Sequence, residues 1–151
     1  AKAETVQNRG WYFDLVRMEK HRLKDSTPMT PVMPLIFALD VQLDRILAEG
    51  LEARFARHKS NHEAFVAGLA QLGIQMHVAP EHRLWTLNTP RVPDGANDLE
   101  IRKKLMADYS IEIAGGFGPL AGKVFRIGTM GYGSSAENVE LLLKALKSAL
   151  G

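Results

Sequence analysis

A short apolar strand enclosed by glycines is the feature that most constrains what this chain can fold into. Residues 123–128 alternate so that Phe125 and Ile127 lie on one side of a strand, while Val124 and Arg126 lie on the other. Glycines occur on both sides of this segment, at Gly115, Gly116, Gly118, Gly122, Gly128, Gly131 and Gly133. They permit tight turns and the close approach of a ligand or a second backbone. The pattern predicts a strand with tight connections and one arginine that faces away from Phe125 and Ile127.

Arg126 needs a partner in that position, because a buried cation without one costs on the order of several kcal/mol. The partner is either an acidic side chain of the same chain, which makes Arg126 a structural residue, or a group supplied by a ligand, such as a carboxylate or a phosphate. Spacing alone leaves both interpretations open, since ion pairs that only stabilise a fold are common.

The remaining hydrophobic pattern predicts two helices, two strands, a helix, two strands and a last helix. The first long helix starts near Pro31 or Pro34 and stops near Gly50, and the next runs from Leu51 to Gly73. Capping-box spacing marks the starts of the last two helices, and the residues concerned are Asn97 with Glu100 and Ser134 with Glu137.

The other strands are predicted at residues 74–78, 84–89 and 111–113, where apolar and polar residues alternate. Strand pairs separated by helices and joined through glycines indicate an α+β fold, in which helices cover one face of a small antiparallel or mixed sheet. The glycine run at residues 115–122 leads into a strand and not into a helix, so it is interpreted as a hairpin connection and not as a phosphate-binding loop.

Composition excludes several classes of function. The 19 basic and 17 acidic residues give a net charge of +2, which provides no electrostatic case for nucleic-acid binding. No cysteine is present, so disulfides, thiol catalysis and thiolate zinc sites are excluded, and the chain fits a reducing, cytoplasmic compartment. No segment approaches the length of apolar sequence that spans a membrane, so no membrane partner is expected.

Two pairs of polar residues are further site candidates. His58 and His62 have the four-residue spacing of a zinc-binding pair, but no glutamate lies between them and no third ligand is evident, so packing is favoured and no metal is predicted. Thr27 and Thr30 lie in a loop punctuated by prolines, where their hydroxyls can contact a phosphate or cap the following helix. Residue chemistry alone favours capping.

Several motifs together resemble class V aminotransferases, and the alanine–glyoxylate and serine–pyruvate aminotransferases are the most similar members. The motifs are Thr-Pro-Met-Thr-Pro at residues 27–31, Gly-Leu-Glu at 50–52, Arg-His at 57–58, Ile-Glu-Ile-Ala-Gly-Gly at 111–116, and Gly-Pro at 118–119 followed by Gly-Lys-Val-Phe-Arg-Ile-Gly at 122–128. The resemblance covers the chain from about Trp11 onward, and the combination is specific although each motif alone is not.

The resemblance implies the C-terminal part of a fold-type I enzyme that depends on pyridoxal phosphate. Residues 1–49 would be the end of the large domain and an interdomain helix, and residues 50–151 would be the small domain. The family forms homodimers with active sites at the interface, and the lysine that attaches the cofactor covalently lies upstream, in an N-terminal large domain with no counterpart here. We therefore expect no catalytic residue within this chain and no activity from the chain alone.

The resemblance also assigns site residues. Arg126 matches the arginine that binds the substrate α-carboxylate, and Thr30 matches a threonine that contacts the cofactor phosphate of the neighbouring subunit. Thr27, the candidate second phosphate ligand, occupies a position where some members have tyrosine. Trp85 occupies a position where the related enzymes often have proline. The expected reaction moves an amino group from alanine or serine to glyoxylate or pyruvate. The alternatives are a non-catalytic α+β module that binds a carboxylate or a protein partner, and a fragment of a class V lyase.

Overall fold

The computed structural model describes residues 2–151, which divide into two compact units. The first unit ends at Ala48, and the second comprises Glu49–Gly151. The assignment of residues 1–49 to the end of a large domain stays a prediction.

The first unit contains three helices, α1 (Lys2–Thr5), α2 (Leu15–Arg22) and α3 (Met33–Glu49), of which α3 continues to the first residue of the second unit. Asp14 caps α2, because its Oδ1 accepts hydrogen bonds from the backbone N–H groups of Val16 and Arg17 at 3.0 and 3.2 Å. The predicted first long helix is confirmed as α3, with Pro34 in its first turn and its end directly before Gly50. None of its residues is buried, and its apolar stripe is exposed at Leu35, Leu39, Leu43 and Leu47.

The second unit is built from three helices and three short strands. In chain order these are α4 (Leu51–Gln71), β1 (Leu87–Asn88), α5 (Asp98–Tyr109), β2 (Ala114–Gly115), β3 (Phe125–Gly128) and α6 (Ala136–Leu150), with single 3-10 turns at Pro80–His82, Gly118–Leu120 and Gly131–Gly133. The strands form an antiparallel sheet in the order β1-β3-β2. None of the helices in residues 2–151 is long and apolar enough to cross a membrane.

One face of the sheet carries the hydrophobic core. Phe125 and Ile127 of β3 are 1% and 2% exposed, as the alternation of β3 predicts, and they belong to one cluster with buried side chains from α4, α5 and α6. The helical members of this cluster are Phe65, Leu69, Ile101, Leu105, Val139, Leu142, Ala145, Leu146 and Ala149. The predicted α+β fold with helices on one face of a small sheet is therefore confirmed.

The strands are shorter than the sequence pattern suggests. Residues 74–78 form no strand and contribute an isolated bridge between Met76 and Pro90. The predicted strand at 84–89 is reduced to Leu87–Asn88, and the strand predicted at 111–113 begins only at Ala114. One physical reason is Pro90, which has no backbone N–H to donate to a ladder, so the segment after Asn88 makes only isolated bridges, from Pro90 to Met76 and from Arg91 to Val124.

The helix ends confirm two expectations and correct a third. Asn97 caps α5 through hydrogen bonds from the N–H groups of Leu99 and Glu100, and Gly73 has φ +73° directly after the C-cap residue of α4. The prediction that Ser134 caps the last helix is wrong. Ser135 is the N-cap of α6 and accepts from the N–H of Asn138 at 3.2 Å, whereas Ser134 is buried, 1% exposed, and its Oγ accepts a hydrogen bond from Asn61.

An arginine of α4 holds the loop that follows β3. The guanidinium of Arg57 donates to the carbonyls of Gly131 and Ser134, and its other edge donates to both carboxylate oxygens of Glu49. Arg54 also donates to Glu49, at 2.9 Å. These hydrogen bonds, led by those from Arg57, lower the pKa of Glu49 from 4.5 to about 2. Glu49 thereby fixes Arg57, and Arg57 fixes the end of the segment that carries Arg126.

We expect Gly68→Ala to destabilise the second unit, because a Cβ at residue 68 would lie 2.2 Å from Cδ1 of Leu143 on α6. Overpacking of this kind costs about 1–3 kcal/mol, which urea unfolding would measure as a lower free energy of unfolding. The matched control is the same change in a Leu143→Ala background, where the methyl group has room and alanine is the better helix former by about 1 kcal/mol. Equal effects in both backgrounds would contradict this account of the α4–α6 contact.

Acid should weaken the Arg57 contact through Glu49. The pKa of Glu49 is lower in the folded chain than its ordinary value, so its contribution to stability is present above pH 4.5 and is lost as the pH falls towards 2. We expect the unfolding free energy of Glu49→Gln to change less steeply than that of the parent across this pH window. The control is Glu63→Gln, which removes an exposed carboxylate of α4 that lies 3.9 Å from Lys59. Identical pH slopes for both variants and the parent would refute the assignment.

Candidate functional site

Arg126 lies on the face of the sheet opposite the core. Its neighbours on β3, Phe125 and Ile127, are buried in the helical cluster, whereas Arg126 is half-buried and pairs in register with Ala114 of β2. Val124 is only 1% exposed although it was predicted on the same side as Arg126, and its Cγ2 would lie 3.0 Å from a Cβ at Gly116. The predicted orientation of Arg126 away from Phe125 and Ile127 follows from this burial pattern.

The guanidinium of Arg126 is held by a backbone carbonyl and an aromatic ring. Its Nε donates a hydrogen bond of 2.8 Å to the carbonyl oxygen of Gly115, and its Cζ lies 5.0 Å from the ring centroid of Phe117. No carboxylate among residues 2–151 forms an ion pair with it, whereas Arg22, Arg54, Arg57 and Arg102 each have such a partner. The interpretation of Arg126 as one half of a structural ion pair therefore finds no support in the described chain.

The connection between β2 and β3 is the predicted hairpin connection. Gly116 donates a hydrogen bond of 2.8 Å to the carbonyl of Val124, and the 3-10 turn Gly118–Leu120 reverses the chain between the strands. A Cβ at Gly116 would lie 2.0 Å from the carbonyl oxygen of Leu120, so only glycine fits there. The glycine run thus holds Gly115 and Phe117 beside Arg126.

A chain of buried hydrogen bonds joins α4 to the two strands beside the site. His62 Nδ1 lies 2.7 Å from Oδ1 of Asn88, and Nδ2 of Asn88 donates to Oγ1 of Thr129 at 3.1 Å. Thr129 in turn donates to the carbonyl of Trp85 at 3.0 Å. Asn88 is completely buried, so its amide depends on these partners, and they fix β1 against the end of β3.

Both histidines make hydrogen bonds within the fold through ring nitrogens. Nδ1 of His58 bonds the carbonyl of Arg54 at 2.7 Å, its Nε2 accepts from the N–H of Gly131 at 3.1 Å, and His62 is engaged by Asn88. No cluster of three or more metal-ligating side chains occurs in the part of the chain that the structure describes. The packing role predicted for both residues agrees with these contacts.

The two candidate phosphate ligands lie in the first unit, in the loop before α3. Thr27 and Thr30 are both exposed, and neither hydroxyl forms a hydrogen bond with any described residue. The capping role that residue chemistry favoured is therefore not observed, since α3 begins at Met33 and its first turn bonds to the carbonyl of Val32. Both hydroxyls remain available to an acceptor from outside the described chain.

Sequence reasoning missed part of the site. The sequence pattern assigns no role to the carbonyl of Gly115 or to the ring of Phe117, although both residues belong to the glycine run at residues 115–122. The available signal was an aromatic residue between two glycines, because Phe117 is a large side chain in a loop that otherwise carries small ones.

Trp85, which stands where proline is common in the related enzymes, does not fill the core. Its side chain is 41% exposed, and the centroid of its ring lies 5.9 Å from Nζ of Lys59.

Comparisons with known proteins find mainly aminotransferases, although no family model matches the chain. The chain is 37% identical to the (S)-ureidoglycine–glyoxylate transaminase of Bacillus subtilis over 92% of its own length, and 34% identical to the alanine–glyoxylate aminotransferase of Drosophila melanogaster over 93%. It spans only 34% and 37% of the length of these two relatives.

A solved aminotransferase structure has the same fold over the matched segment. The alanine–glyoxylate aminotransferase of Nostoc sp. superimposes with a TM-score of 0.91 at 35% identity, over 97% of this chain and 39% of that protein. The matched residues make up 97% of the chain and so include residues of both units. The chain is therefore homologous to the C-terminal part of the alanine–glyoxylate type of class V aminotransferases and shares the fold of that part.

Proposed function

We propose that this chain is the carboxylate-binding part of an aminotransferase that uses pyridoxal phosphate. The enzyme moves an amino group from a small amino acid, alanine or serine, to a small oxo acid, glyoxylate or pyruvate. The observation that carries the proposal is the guanidinium of Arg126, which is fixed by Gly115 and Phe117 and has no acidic partner among the described residues. The similarity to an alanine–glyoxylate aminotransferase and to a ureidoglycine–glyoxylate transaminase supports alanine as the donor and glyoxylate as the acceptor.

The chemistry of the guanidinium fits a shared substrate group. Nε of Arg126 is occupied by the carbonyl of Gly115, so the two Nη atoms are the donors left for a carboxylate. A carboxylate accepts two parallel hydrogen bonds from such a planar fork, and these charge-assisted bonds fix its orientation. Amino acids and oxo acids share the α-carboxylate, so one arginine can hold the donor and then the acceptor in the same register.

The cofactor phosphate is assigned to Thr30, with Thr27 as a second ligand. Both hydroxyls are exposed and make no hydrogen bond within the described chain, and a hydroxyl is a suitable donor to a phosphate oxygen. When bound, pyridoxal phosphate supplies the group that accepts and returns the amino group. The lysine that attaches the cofactor covalently is supplied by the rest of the enzyme, so no residue of this chain moves the substrate proton.

The assembly follows from the same proposal. The chain spans 34% and 37% of the two relatives, so each relative is nearly three times as long as the segment that this chain matches. We assign residues 1–49 to the end of the large domain and residues 50–151 to the small domain of a homodimer with active sites at its interface. The absence of cysteine supports a cytoplasmic location.

Arg126→Ala should lower kcat/KM for alanine with glyoxylate by about 10- to 150-fold in the aminotransferase that contains this chain. This range corresponds to about 1.5–3 kcal/mol, the usual contribution of hydrogen bonds to a charged group. The matched control is Arg91→Ala, which removes an exposed arginine of the second unit with no ion pair in the described chain. We expect that control to retain the parent rate.

Three results would distinguish the competing functions. An unchanged kcat/KM in Arg126→Ala would overturn the role of this arginine in transamination. A parent protein that binds pyruvate through Arg126 without any amino transfer would be a carboxylate-binding module. Product release from an amino acid without an oxo-acid acceptor would identify a lyase.

Thr30→Val should weaken the affinity of the same enzyme for pyridoxal phosphate by about three- to twelvefold, because it removes one hydroxyl donor at nearly constant volume. Thr27→Val should have a smaller effect. Spectrophotometric titration of the cofactor-free enzyme measures both dissociation constants. Equal affinities in the parent and Thr30→Val would remove Thr30 from the phosphate site.

A further inference from the structure

Phe117 is an exposed aromatic residue that the core does not explain. It is 71% exposed, whereas Phe125 of the neighbouring strand is 1% exposed and lies in the core cluster. Burial of apolar area therefore contributes little to the position of Phe117 within the described chain. Its ring contacts the guanidinium of Arg126, whose Cζ lies 5.0 Å from the ring centroid.

The backbone around Phe117 is held on both sides. The residue before it, Gly116, donates to the carbonyl of Val124 and has no room for a Cβ. The carbonyl of Phe117 accepts a hydrogen bond of 3.1 Å from Leu120, and Gly118 has φ +55°, a conformation that favours glycine. The loop therefore fixes the point from which the Phe117 ring extends, although the ring itself is outside the core.

Two contacts of different kinds restrict the guanidinium of Arg126. The carbonyl of Gly115 accepts from Nε at 2.8 Å along the edge of the group, and the ring of Phe117 lies over its Cζ, within the range of a cation–π contact. An arginine side chain without such contacts samples many rotamers, and a ligand must immobilise it on binding. The two contacts reduce that entropic cost before any carboxylate arrives.

We propose that Phe117 is the positioning residue for Arg126, so that its ring sets the plane of the guanidinium that receives the substrate carboxylate. This role rests on the proposed function, since it concerns the same arginine. The ring acts through Arg126, and its π face is the property that matters. Tyrosine at residue 117 should therefore replace phenylalanine, whereas leucine, which keeps apolar volume without a π face, should not.

The test compares Phe117→Leu and Phe117→Tyr in the enzyme that contains this chain. We expect Phe117→Leu to raise KM for alanine and for glyoxylate by about two- to fivefold, the size of an exposed cation–π contact, with kcat within about twofold of the parent. Phe117→Tyr should restore the parent KM. Tyr132→Leu is the matched control, because it removes a ring that is 91% exposed from the loop after β3 and should leave KM unchanged.

A second measurement reads the position of Arg126 without requiring turnover. The Nε–H signal of Arg126 in a ¹⁵N-correlated spectrum is assigned by its loss in Arg126→Lys, and pyruvate is then titrated as the carboxylate probe. We expect the free-state signal to move in Phe117→Leu, because the ring current is removed, and the pyruvate affinity to fall two- to fivefold. Tyr132→Leu should change neither property.

The outcomes separate the two proposals. A parent enzyme without amino transfer would overturn the proposed function, while the pyruvate titration would still decide the role of Phe117. Active transamination that depends on Arg126, with equal pyruvate affinity in the parent, Phe117→Leu and Phe117→Tyr, would overturn the positioning role alone. An Arg126 signal that does not respond to pyruvate in the parent would overturn both.

Discussion

The structure of the second unit depends on the alternation of side chains along β3. Phe125 and Ile127 enter the core that α4, α5 and α6 close, and the pleat then requires Arg126 to face the other way. A slip of one residue in the pairing of this strand would exchange the two faces and bury the arginine. The burial of two apolar side chains therefore also fixes the position of the charged one.

Hydrogen bonds to buried polar groups hold the ends of this strand. Asn88 satisfies both atoms of its amide through His62 and Thr129, and Arg57 spans Glu49 and the carbonyls of Gly131 and Ser134. Buried polar groups that all have partners rigidify a fold, because each displacement leaves one of them unsatisfied at a cost of about 1–3 kcal/mol. Side chains at the margins therefore hold a sheet whose own hydrogen-bonded ladders are short, and they restrict the movement of the strand that carries Arg126.

Different parts of this fold could be predicted from the sequence to different degrees, for physical reasons. Helices depend on local periodicity and caps, so α3, α4 and the Asn97 cap follow from their own residues. Strand length depends on a partner distant in sequence, and the alternation at 74–78 could not show that only a single bridge forms there. Ser134 was mistaken for a cap because it has the same hydroxyl and nearly the same spacing as Ser135, while its burial against Asn61 depends on the tertiary fold.

The charge of Arg126 and the pleat of its strand were enough to predict where this residue lies. Its contact with Phe117 could not be predicted, because a loop conformation decides that contact. Arg126 was evident as a cation in an apolar strand, whereas Phe117 meets it only through the shape of the turn after Gly116. An acidic partner for Arg126 would stabilise the free protein, but a carboxylate ligand could then bind the guanidinium only by displacing that partner. A carbonyl on Nε and a ring over Cζ orient the guanidinium without neutralising its charge, so its attraction for an external anion is retained.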